Sequence, residues 1–293
     1  MKKIKIVSLT LLIGAMLAGC GAGDNAKQSS EDKKAAATEE KKEVKSGFTV
    51  DEVFEKAIKK SEKYESYHAE SETTSNIESR AASSDLKIAS TNSVKLQYVK
   101  DPLNLYMESD TSINSLSSND TLNFNTKSYI SDKGFYINEE NTKQWVKYND
   151  SDFKRMKAQL SKSLADQLVE YKKYSSEFDM EKKGTYYRIY VKKDSKKFND
   201  FLQGIVNQQL TEALGNQPGY TVEDTSFKDV EYEISIDEET FDVLEIKSNF
   251  TLNGKIQDEV VDMKIQVDGN YSEFNKVKPT ALPKEAEKKA RSI

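Results

Sequence analysis

Few residues of this chain could carry out nucleophilic or acid–base chemistry, since its 293 residues include one cysteine, Cys20, and one histidine, His68. One cysteine excludes an internal disulfide framework and every cysteine-rich zinc site. One histidine removes most nucleophile–base pairs and metal-ligand sets, because each needs further groups of defined type nearby. His68 is therefore interpreted as an exposed or satisfied lone histidine, with a general base as the alternative.

Motifs for catalysis are missing from the sequence. It contains neither a nucleophile-elbow serine nor a glycine-rich phosphate loop. Two acidic clusters, 149–152 and 237–239, lack the spacing of a calcium-binding loop and are interpreted as a helix cap and a turn. We therefore expect a protein that is not an enzyme and that holds no metal and no cofactor.

Cys20 ends an N-terminal segment typical of exported proteins. Three lysines precede the apolar stretch 6–16, which is shorter than the roughly 20 residues that span a bilayer. The next four positions resemble the lipobox of bacterial lipoproteins: Leu17, Ala18, Gly19 and Cys20. This resemblance implies that residues 1–19 are a cleaved signal peptide and that the Cys20 sulfur carries diacylglycerol, with palmitate as a typical acyl chain. The alternative is an ordinary signal peptide followed by a chance cysteine.

The anchor predicts where the protein resides. Acyl chains contribute about 0.8 kcal/mol per buried CH₂, and stable attachment takes two of them. We expect a lipid-anchored protein on the extracytoplasmic face of a cell membrane, in an envelope of Gram-positive type given its many lysines. The chain beginning at Cys20 has 41 basic against 49 acidic residues, a net charge of −8, which argues against nucleic acid as a partner.

The rest of the chain divides into a tether and one domain. Residues 20–47, the lipidated cysteine with the segment behind it, contain a single aliphatic side chain larger than alanine, Val44. Such a segment cannot bury enough apolar area to offset its ordering entropy, so it is predicted to be a flexible stalk with an end-to-end distance of roughly 30 Å. Residues 48–293 are predicted to form a single domain.

Three helices are predicted in this domain. The first follows a capping box, Thr49 with Glu52, and a hydrophobic staple, Phe48 with Val53. The second has apolar residues spaced by three or four over 153–171, behind Asp150 or Ser151 as the cap. The third has a wide apolar face over 198–214, with Asp194 as the N-cap and Gly215 after its end.

Strands are predicted on either side of the second and third helices. Apolar and polar residues alternate over 66–148, in the short segment 186–191 and over 230–267, with Asn253-Gly254 as a two-residue hairpin turn. The pattern predicts an α+β fold, in which a wide curved antiparallel sheet, a half-barrel of about ten strands, wraps amphipathic helices.

The closing segment carries a resemblance to a known superfamily. The residues concerned are Asp237, Thr240 and Phe241, then Gly269, Tyr271, Phe274, Asn275 and Val277, then Leu282 and Pro283. With the lipobox and the order of elements, they resemble an uncharacterised Gram-positive branch of the LolA/LppX-like superfamily of envelope lipoproteins. The resemblance covers about 48–285 and implies a half-open sheet around an apolar cavity. Members carry lipids or lipoproteins, and others sense the state of the envelope.

Two further patterns have both a functional and a structural interpretation. The apolar face of the third helix could line a ligand cavity or fill an ordinary core, and its candidate residues are Phe198, Phe201, Leu202, Ile205 and Leu210. Residues 154–197 carry a net charge of +7 and residues 222–268 a net charge of −10. The basic segment could face anionic lipid headgroups, or the two segments could be solvated surfaces that partly pair with each other.

Two function hypotheses follow from these patterns. The first is a membrane-anchored lipoprotein that binds a lipid or other hydrophobic ligand in a cavity between sheet and helices. The second is an envelope sensor or protein-interaction lipoprotein without a small ligand. An unpaired edge strand or an exposed apolar patch would favour this second hypothesis. A solute-binding lipoprotein for a transporter would require alternating βαβ units, which the pattern lacks.

The lipobox generates a direct prediction. Cys20→Ser should abolish incorporation of radiolabelled palmitate and move the protein from the membrane pellet to the medium, because no acyl chain remains to hold it. Gly23→Ala, a small change outside the lipobox, is the control and should leave both readouts unchanged. Labelling that persists in Cys20→Ser would contradict the assignment.

Overall fold

The computed structural model describes residues 47–292, apart from 82–83, 119, 140–141, 152, 155–156, 158–162, 215–221 and 257–258. Within this part of the chain four helices have defined bounds: α1 Val50–Ser61, α2 Leu164–Lys172, α3 Lys196–Leu214 and α4 Lys284–Lys289. The strands are β1 Ser66–Ala81, β2 Ser84–Val99, β3 Asn104–Ser115, β4 Asp120–Ser131, β5 Gly134–Glu139, β6 Gln144–Lys147, β7 Phe178–Lys183, β8 Tyr186–Val191, β9 Val222–Asp237, β10 Val243–Ile256, β11 Glu259–Ser272 and β12 Arg291–Ser292.

All these strands belong to one open sheet. Its order is β12-β6-β5-β4-β3-β2-β1-β11-β10-β9-β8-β7, and every neighbouring pair is antiparallel except β12 with β6. The α+β class is confirmed, while the expected ten strands become twelve; β7 and the two-residue β12 lie outside the segments in which strands were expected. The half-barrel curvature stays a prediction.

The sheet has one face that packs against helices, here called the inner face. Near the helix-bearing end, side chains of β1, β2, β8 and β9 join those of α1, α2 and α3 in one buried group, the proximal cluster. A second buried group, the distal cluster, lies toward the hairpin tips and includes Ile77, Phe250, Met263 and Val206 of α3. Because α3 contributes to both clusters, this helix bridges them along the inner face.

The start of α1 follows the sequence expectation. The Glu52 backbone N–H donates to Thr49 Oγ1 at 3.3 Å, and the Thr49 backbone N–H donates to Glu52 Oε2 at 2.7 Å, which completes the predicted capping box. Phe48 lies against the rings of Tyr187 and Phe241, at centroid distances of 6.4 and 5.9 Å. The capping box and these two ring contacts therefore both fix the position of the start of α1.

The caps of the next two helices differ from the expectation. Ser163, with extended backbone geometry, is the N-cap of α2 and forms a capping box with Asp166, so residues 153–171 are not one uninterrupted helix. At α3 the Phe198 backbone N–H donates to Ser195 Oγ at 3.2 Å. Asp194 instead has a φ of +60°, so it turns the chain before the cap. Both cap predictions were wrong. Asp150 and Ser151 are already helical, and Asn149 Oδ1 accepts from the Ser151 backbone N–H at 3.0 Å, while at α3 the adjacent Ser195 takes the place expected for Asp194. Gly215 lies outside the described residues.

The predicted terminal hairpin forms, but its turn lies elsewhere. β10 pairs with β11 from Glu245–Asn270 to Ile256–Glu259, and Asn253 and Gly254 are paired within it, opposite Asp262 and Val261. The connection is therefore 257–258, outside the described residues. Continuing the ladder past Asn253-Gly254 adds further backbone hydrogen bonds, which outweigh the local turn preference of that dipeptide.

The closing segment acts as a clamp at the proximal end. Asp237 Oδ1 accepts hydrogen bonds from the backbone N–H groups of Glu239 and Thr240, which confirms the predicted turn. Phe274 stacks on Tyr64 at 4.3 Å, and Asn275 Oδ1 accepts from the Glu65 backbone N–H at 2.7 Å. These contacts show why the residue pattern of this segment is specific for the fold.

The cap of α3 can be tested by substitution. Ser195→Ala removes both the bond from the Phe198 N–H and the 2.8 Å bond that Ser195 Oγ donates to Glu177, so urea unfolding should show a loss of about 1 kcal/mol. Asp194→Gly is the control, since glycine tolerates a φ of +60°, and its stability should stay within about 0.5 kcal/mol of the parent. A larger loss in Asp194→Gly than in Ser195→Ala would contradict this assignment.

Candidate functional site on the inner face

The predicted site residues fall into two groups. Cys20 and the lipobox positions Leu17, Ala18 and Gly19 lie outside the described residues, and so does the side chain of Leu210. Phe198 and Leu202 on α3 are fully buried in the proximal cluster, and Phe201 packs against it. Ile205 is also buried. The structure thus brings four of the five cavity candidates onto the buried side of one helix.

Aromatic rings surround these residues. The Phe198 ring lies 5.0 Å from Phe178 of β7 and 5.4 Å from Tyr232 of β9. The Phe201 ring lies 4.5 Å from that of Tyr174, and Tyr171 of α2 lies 5.2 Å from Tyr232. Two helices and two strands therefore meet in one ring cluster, which fixes where α3 sits against the sheet.

Between the proximal and distal clusters the inner face changes character. Eight of its uncharged polar side chains are buried there, and together they form what we call the polar band: Ser71, Thr73, Ser75, Ser90, Asn92, Thr111, Ser128 and Ser248. The sequence analysis did not predict this band, because it used only the spacing of apolar residues to identify buried positions. The signal was present in β1, where serine and threonine occupy the same alternate positions as Ala69 and Ile77.

Hydrogen bonds satisfy part of the polar band. Ser75 Oγ and Ser90 Oγ are 2.7 Å apart, and Asn92 Oδ1 accepts from Ser109 Oγ at 2.8 Å and from Thr111 Oγ1 at 3.0 Å. Thr73 Oγ1 and Ser248 Oγ are buried with no hydrogen-bond partner. A buried hydroxyl without a partner costs about 1–3 kcal/mol, so these two positions need an explanation other than stability.

The inner face is also almost free of charge. Among the described inner-face side chains of β1–β4 and β8–β11 the one charged residue is Asp120, which is exposed at the tip of the β3–β4 hairpin, opposite Ser115. Buried tyrosines border this surface instead, and burial raises the pKa of Tyr171, Tyr232 and Tyr271 above the ordinary value. The face can therefore accept alkyl chains and uncharged hydrogen-bonding groups.

The outer face carries the charges. A groove of about 1000 Å³, here called the outer groove, is lined mainly by charged and polar residues of β8–β11 and the start of α3. Its lining also includes residues at inner-face positions of these strands: Val191, Phe227, Tyr232 and Ser248. In this groove Arg188 donates to Glu233 at 2.6 Å and to Glu181 at 2.9 Å, which lowers the pKa of the Glu181 carboxyl. Lys182 also pairs with Glu238. Arg188 and Lys182 belong to the basic segment, and Glu233 and Glu238 to the acidic one, so the two segments partly pair with each other.

Two further cavities lie elsewhere on the described surface. One of about 560 Å³ lies between the end of α1, the start of α2 and the β2–β3 turn, with Tyr98 and Val169 among its lining residues. The other, of about 440 Å³, is lined mainly by outer-face residues of β1–β4 such as Thr74 and Asp110. Neither is lined by the α3 candidates, so these two cavities do not test their predicted role.

Metal and membrane features are absent from the described residues. They contain no group of three His, Cys, Asp or Glu side chains placed to hold a metal ion, and no helix among them is long and apolar enough to cross a membrane. His68 lies on β1, partly buried, with its Nε2 3.8 Å from Glu70 Oε1.

Comparison with known proteins gives a family and distant structural likenesses. Residues 49–291 match the model of a family of unknown function, DUF6612. A search of curated proteins finds no match.

Solved structures give likenesses at low identity. A DUF1329 family protein from Desulfovibrio piger is 10% identical, covering 74% of this chain and 90% of its own, with a TM-score of 0.23. An outer membrane lipoprotein-sorting protein domain from Vibrio parahaemolyticus is 10% identical, covering 81% and 96%, with a TM-score of 0.21. Lipovitellin is 8% identical, covering 74% and 26%, with a TM-score of 0.29. Since all three scores are below 0.5, none carries an argument about this chain, and the Gram-positive branch stays a prediction.

The buried tyrosines generate a pH prediction. Because burial raises the pKa of Tyr171, Tyr232 and Tyr271 in the folded protein, their neutral forms favour folding. Their contribution is complete below the unfolded pKa of about 10 and is lost as pH rises above it. Absorbance at 295 nm should therefore show tyrosines that ionise only together with the loss of circular dichroism. The urea-unfolded chain is the control, and full ionisation near pH 10 with the fold intact would contradict the prediction.

Proposed function

We propose that this chain, which belongs to the DUF6612 family, is a lipoprotein anchored through Cys20 on the extracytoplasmic face of the membrane, where it binds a hydrophobic ligand between its sheet and its helices. In this proposal it is a binding protein and not an enzyme. The lipobox at 17–20 supports the membrane anchor. The fold supports the binding of a hydrophobic ligand.

The observation that carries the proposal is the inner face, which is almost free of charge. Ligand sites for hydrophobic molecules are mostly apolar, with a few polar groups that fix orientation. The inner face has this composition, since the proximal and distal clusters flank a band of hydroxyl and amide side chains. α3 bridges both clusters, and it carries the candidate residues Phe198, Phe201, Leu202 and Ile205.

An uncharged interior also favours one class of partner over others. A phosphate-rich polymer needs a basic surface, whereas Arg188 and Lys182, two of the described basic residues, are each paired with a carboxylate. Apolar surface, in contrast, contributes about 25 cal/mol for each Å² removed from water. A ligand with alkyl chains gains most from this face.

Native mass spectrometry tests the proposal. The predicted mature chain, residues 20–293 with Cys20→Ser, would be purified from a Gram-positive host and measured before and after organic extraction. We expect a removable mass that fragments as a lipid, because the apolar clusters retain alkyl chains during purification. The same sample measured under denaturing conditions is the control, since it must show the bare chain mass.

A matched pair of variants locates the ligand. Ser71→Leu adds a bulky group to the polar band and should reduce the bound fraction, whereas Glu70→Leu adds the same side chain to the outer face at an exposed position and should not. Urea unfolding of both variants measures their stability, because overpacking by Ser71→Leu alone costs about 1–3 kcal/mol of folding free energy. A loss of bound lipid in a variant that is still folded is then a loss of binding.

An unliganded mass of the parent protein, with no uptake of a fluorescent fatty acid or phospholipid, would overturn the proposal that it binds a hydrophobic ligand.

The second candidate is an interaction lipoprotein without a small ligand. The observation in its favour is that the outer groove, of about 1000 Å³, is lined mainly by charged and polar side chains of β8–β11. Crosslinking in whole cells from a photoreactive residue at Asn249 in this groove would capture a partner under this hypothesis. The same residue placed at Lys87, outside the groove, is the control.

A further inference from the structure

We infer that the ligand of the inner face is an uncharged amphiphile of the acylglycerol type, whose ester or hydroxyl group hydrogen-bonds to one row of the polar band. This inference rests on the proposed function and deepens it by naming the ligand class. The row is defined by strand register, and three observations support it: alignment, buried hydroxyls without partners, and the absence of buried charge.

The alignment follows from the pairing of four strands. Thr111 of β3 is opposite Asn92 of β2, and Asn92 is opposite Thr73 of β1. Thr73 is opposite Val267 of β11, and Val267 is opposite Ser248 of β10. Five neighbouring strands thus present Thr, Asn, Thr, Val and Ser side by side on the inner face. Since neighbouring strands are about 4.8 Å apart, the row from Thr111 to Ser248 extends over about 19 Å.

The row contains hydrogen-bonding groups that the protein itself does not use. Asn92 and Thr111 are bonded to each other at 3.0 Å, but Thr73 Oγ1 and Ser248 Oγ have no partner, and both residues are more than nine-tenths buried. A packed core would place valine or alanine at these positions at no cost, because apolar isosteres leave no unsatisfied group. The two hydroxyls are therefore in place to bond a polar group that enters the interior.

The charge of that polar group follows from its surroundings. The described inner-face side chains of β1–β4 and β8–β11 are uncharged except Asp120, which is exposed at the β3–β4 hairpin tip, opposite Ser115, four residues along β3 from Thr111. A phosphate or carboxylate next to Thr73 would be buried without a counter-charge, which is far more costly than burying a hydrogen-bonded neutral group. An ester or hydroxyl can bond Thr73 and Ser248 with no such penalty.

The apolar surface on both sides accommodates the rest of such a molecule. Along β1, Ala69 of the proximal cluster and Ile77 of the distal cluster each lie four residues from Thr73, which is about 13 Å in either direction. Alkyl chains can therefore run from the row toward either cluster. This geometry fits a neutral group joined to hydrocarbon and does not need a charged headgroup.

A displacement assay tests the inference on the predicted mature chain, residues 20–293 with Cys20→Ser. An uncharged fluorescent probe, N-phenyl-1-naphthylamine, would be displaced in turn by 1-monooleoylglycerol, oleate and dioleoylphosphatidylglycerol. We expect monooleoylglycerol to bind at least tenfold more tightly than the two anionic lipids.

Matched variants assign the effect to the row. Thr73→Val is isosteric and removes a hydroxyl without a partner, so the unliganded protein should be as stable as the parent. It should weaken monooleoylglycerol binding about fivefold, as should Ser248→Ala, while probe affinity stays unchanged. Thr74→Val, the same substitution one residue away on the exposed outer face, is the control and should change neither affinity.

The outcomes separate this inference from the function on which it rests. If the probe and all three lipids fail to bind, the proposed function is wrong. If lipids bind but the anionic ones bind as tightly as monooleoylglycerol, or Thr73→Val behaves like Thr74→Val, the binding function holds and the neutral-ligand inference is overturned.

Discussion

The pairing of β1 with β11 is the interaction on which the rest of the structure depends. It runs from His68–Ser272 to Arg80–Val260 and joins two sheet halves that are built from opposite ends of the chain. The N-terminal half, β1–β6, and the C-terminal half, β7–β11, are each locally connected meanders or hairpins, apart from the segments that hold the helices. This central ladder makes the inner face continuous, and the proximal cluster accordingly includes side chains of both halves, such as Tyr67 of β1 and Ile234 of β9. Contacts so distant in sequence carry the entropic cost of closing a long loop. The closing clamp adds contacts between the same two parts of the chain, such as Asn275 with Glu65 and Phe274 with Tyr64.

That clamp holds the two halves in register at the proximal end. Glu65, just before β1, bonds to Asn275, just after β11. The Tyr64 hydroxyl donates to Asp242 Oδ1 at 2.5 Å, and Lys60 lies 3.4 Å from the same oxygen. Burial and this hydrogen bond raise the pKa of Tyr64. Short polar contacts at one end fix the strand register, and the register in turn decides which side chains share a row on the inner face.

The two faces of the sheet differ in the kinds of side chain that they carry. Ion pairs such as Arg188–Glu233 lie on the outer face, where water screens them and each contributes little to stability. Uncharged hydroxyls and apolar side chains lie on the inner face, where each unsatisfied group is costly. Pairs such as Arg188–Glu233 across β8 and β9 offset part of the charge asymmetry along the chain. The polar band stands out because it is the part of the interior that packing alone does not explain.

The sequence by itself determined the local features of this protein. The capping box at Thr49, the alternation of β8 and the turn at Asp237 all depend on neighbours within a few residues, where spacing and side-chain chemistry are decisive. The cap at Ser195 could have been found from the same signals, but the adjacent Asp194 offered an equal local choice. The cap at Ser163 interrupts an apolar pattern that continues over 153–171, so that pattern gave no sign of it. Only the tertiary structure decided that Asn253-Gly254 continues a strand and that Thr73, Asn92 and Ser248 share a row. The physical reason is that a residue's neighbours across a sheet are set by the register of strands far apart in the chain, which no local pattern encodes.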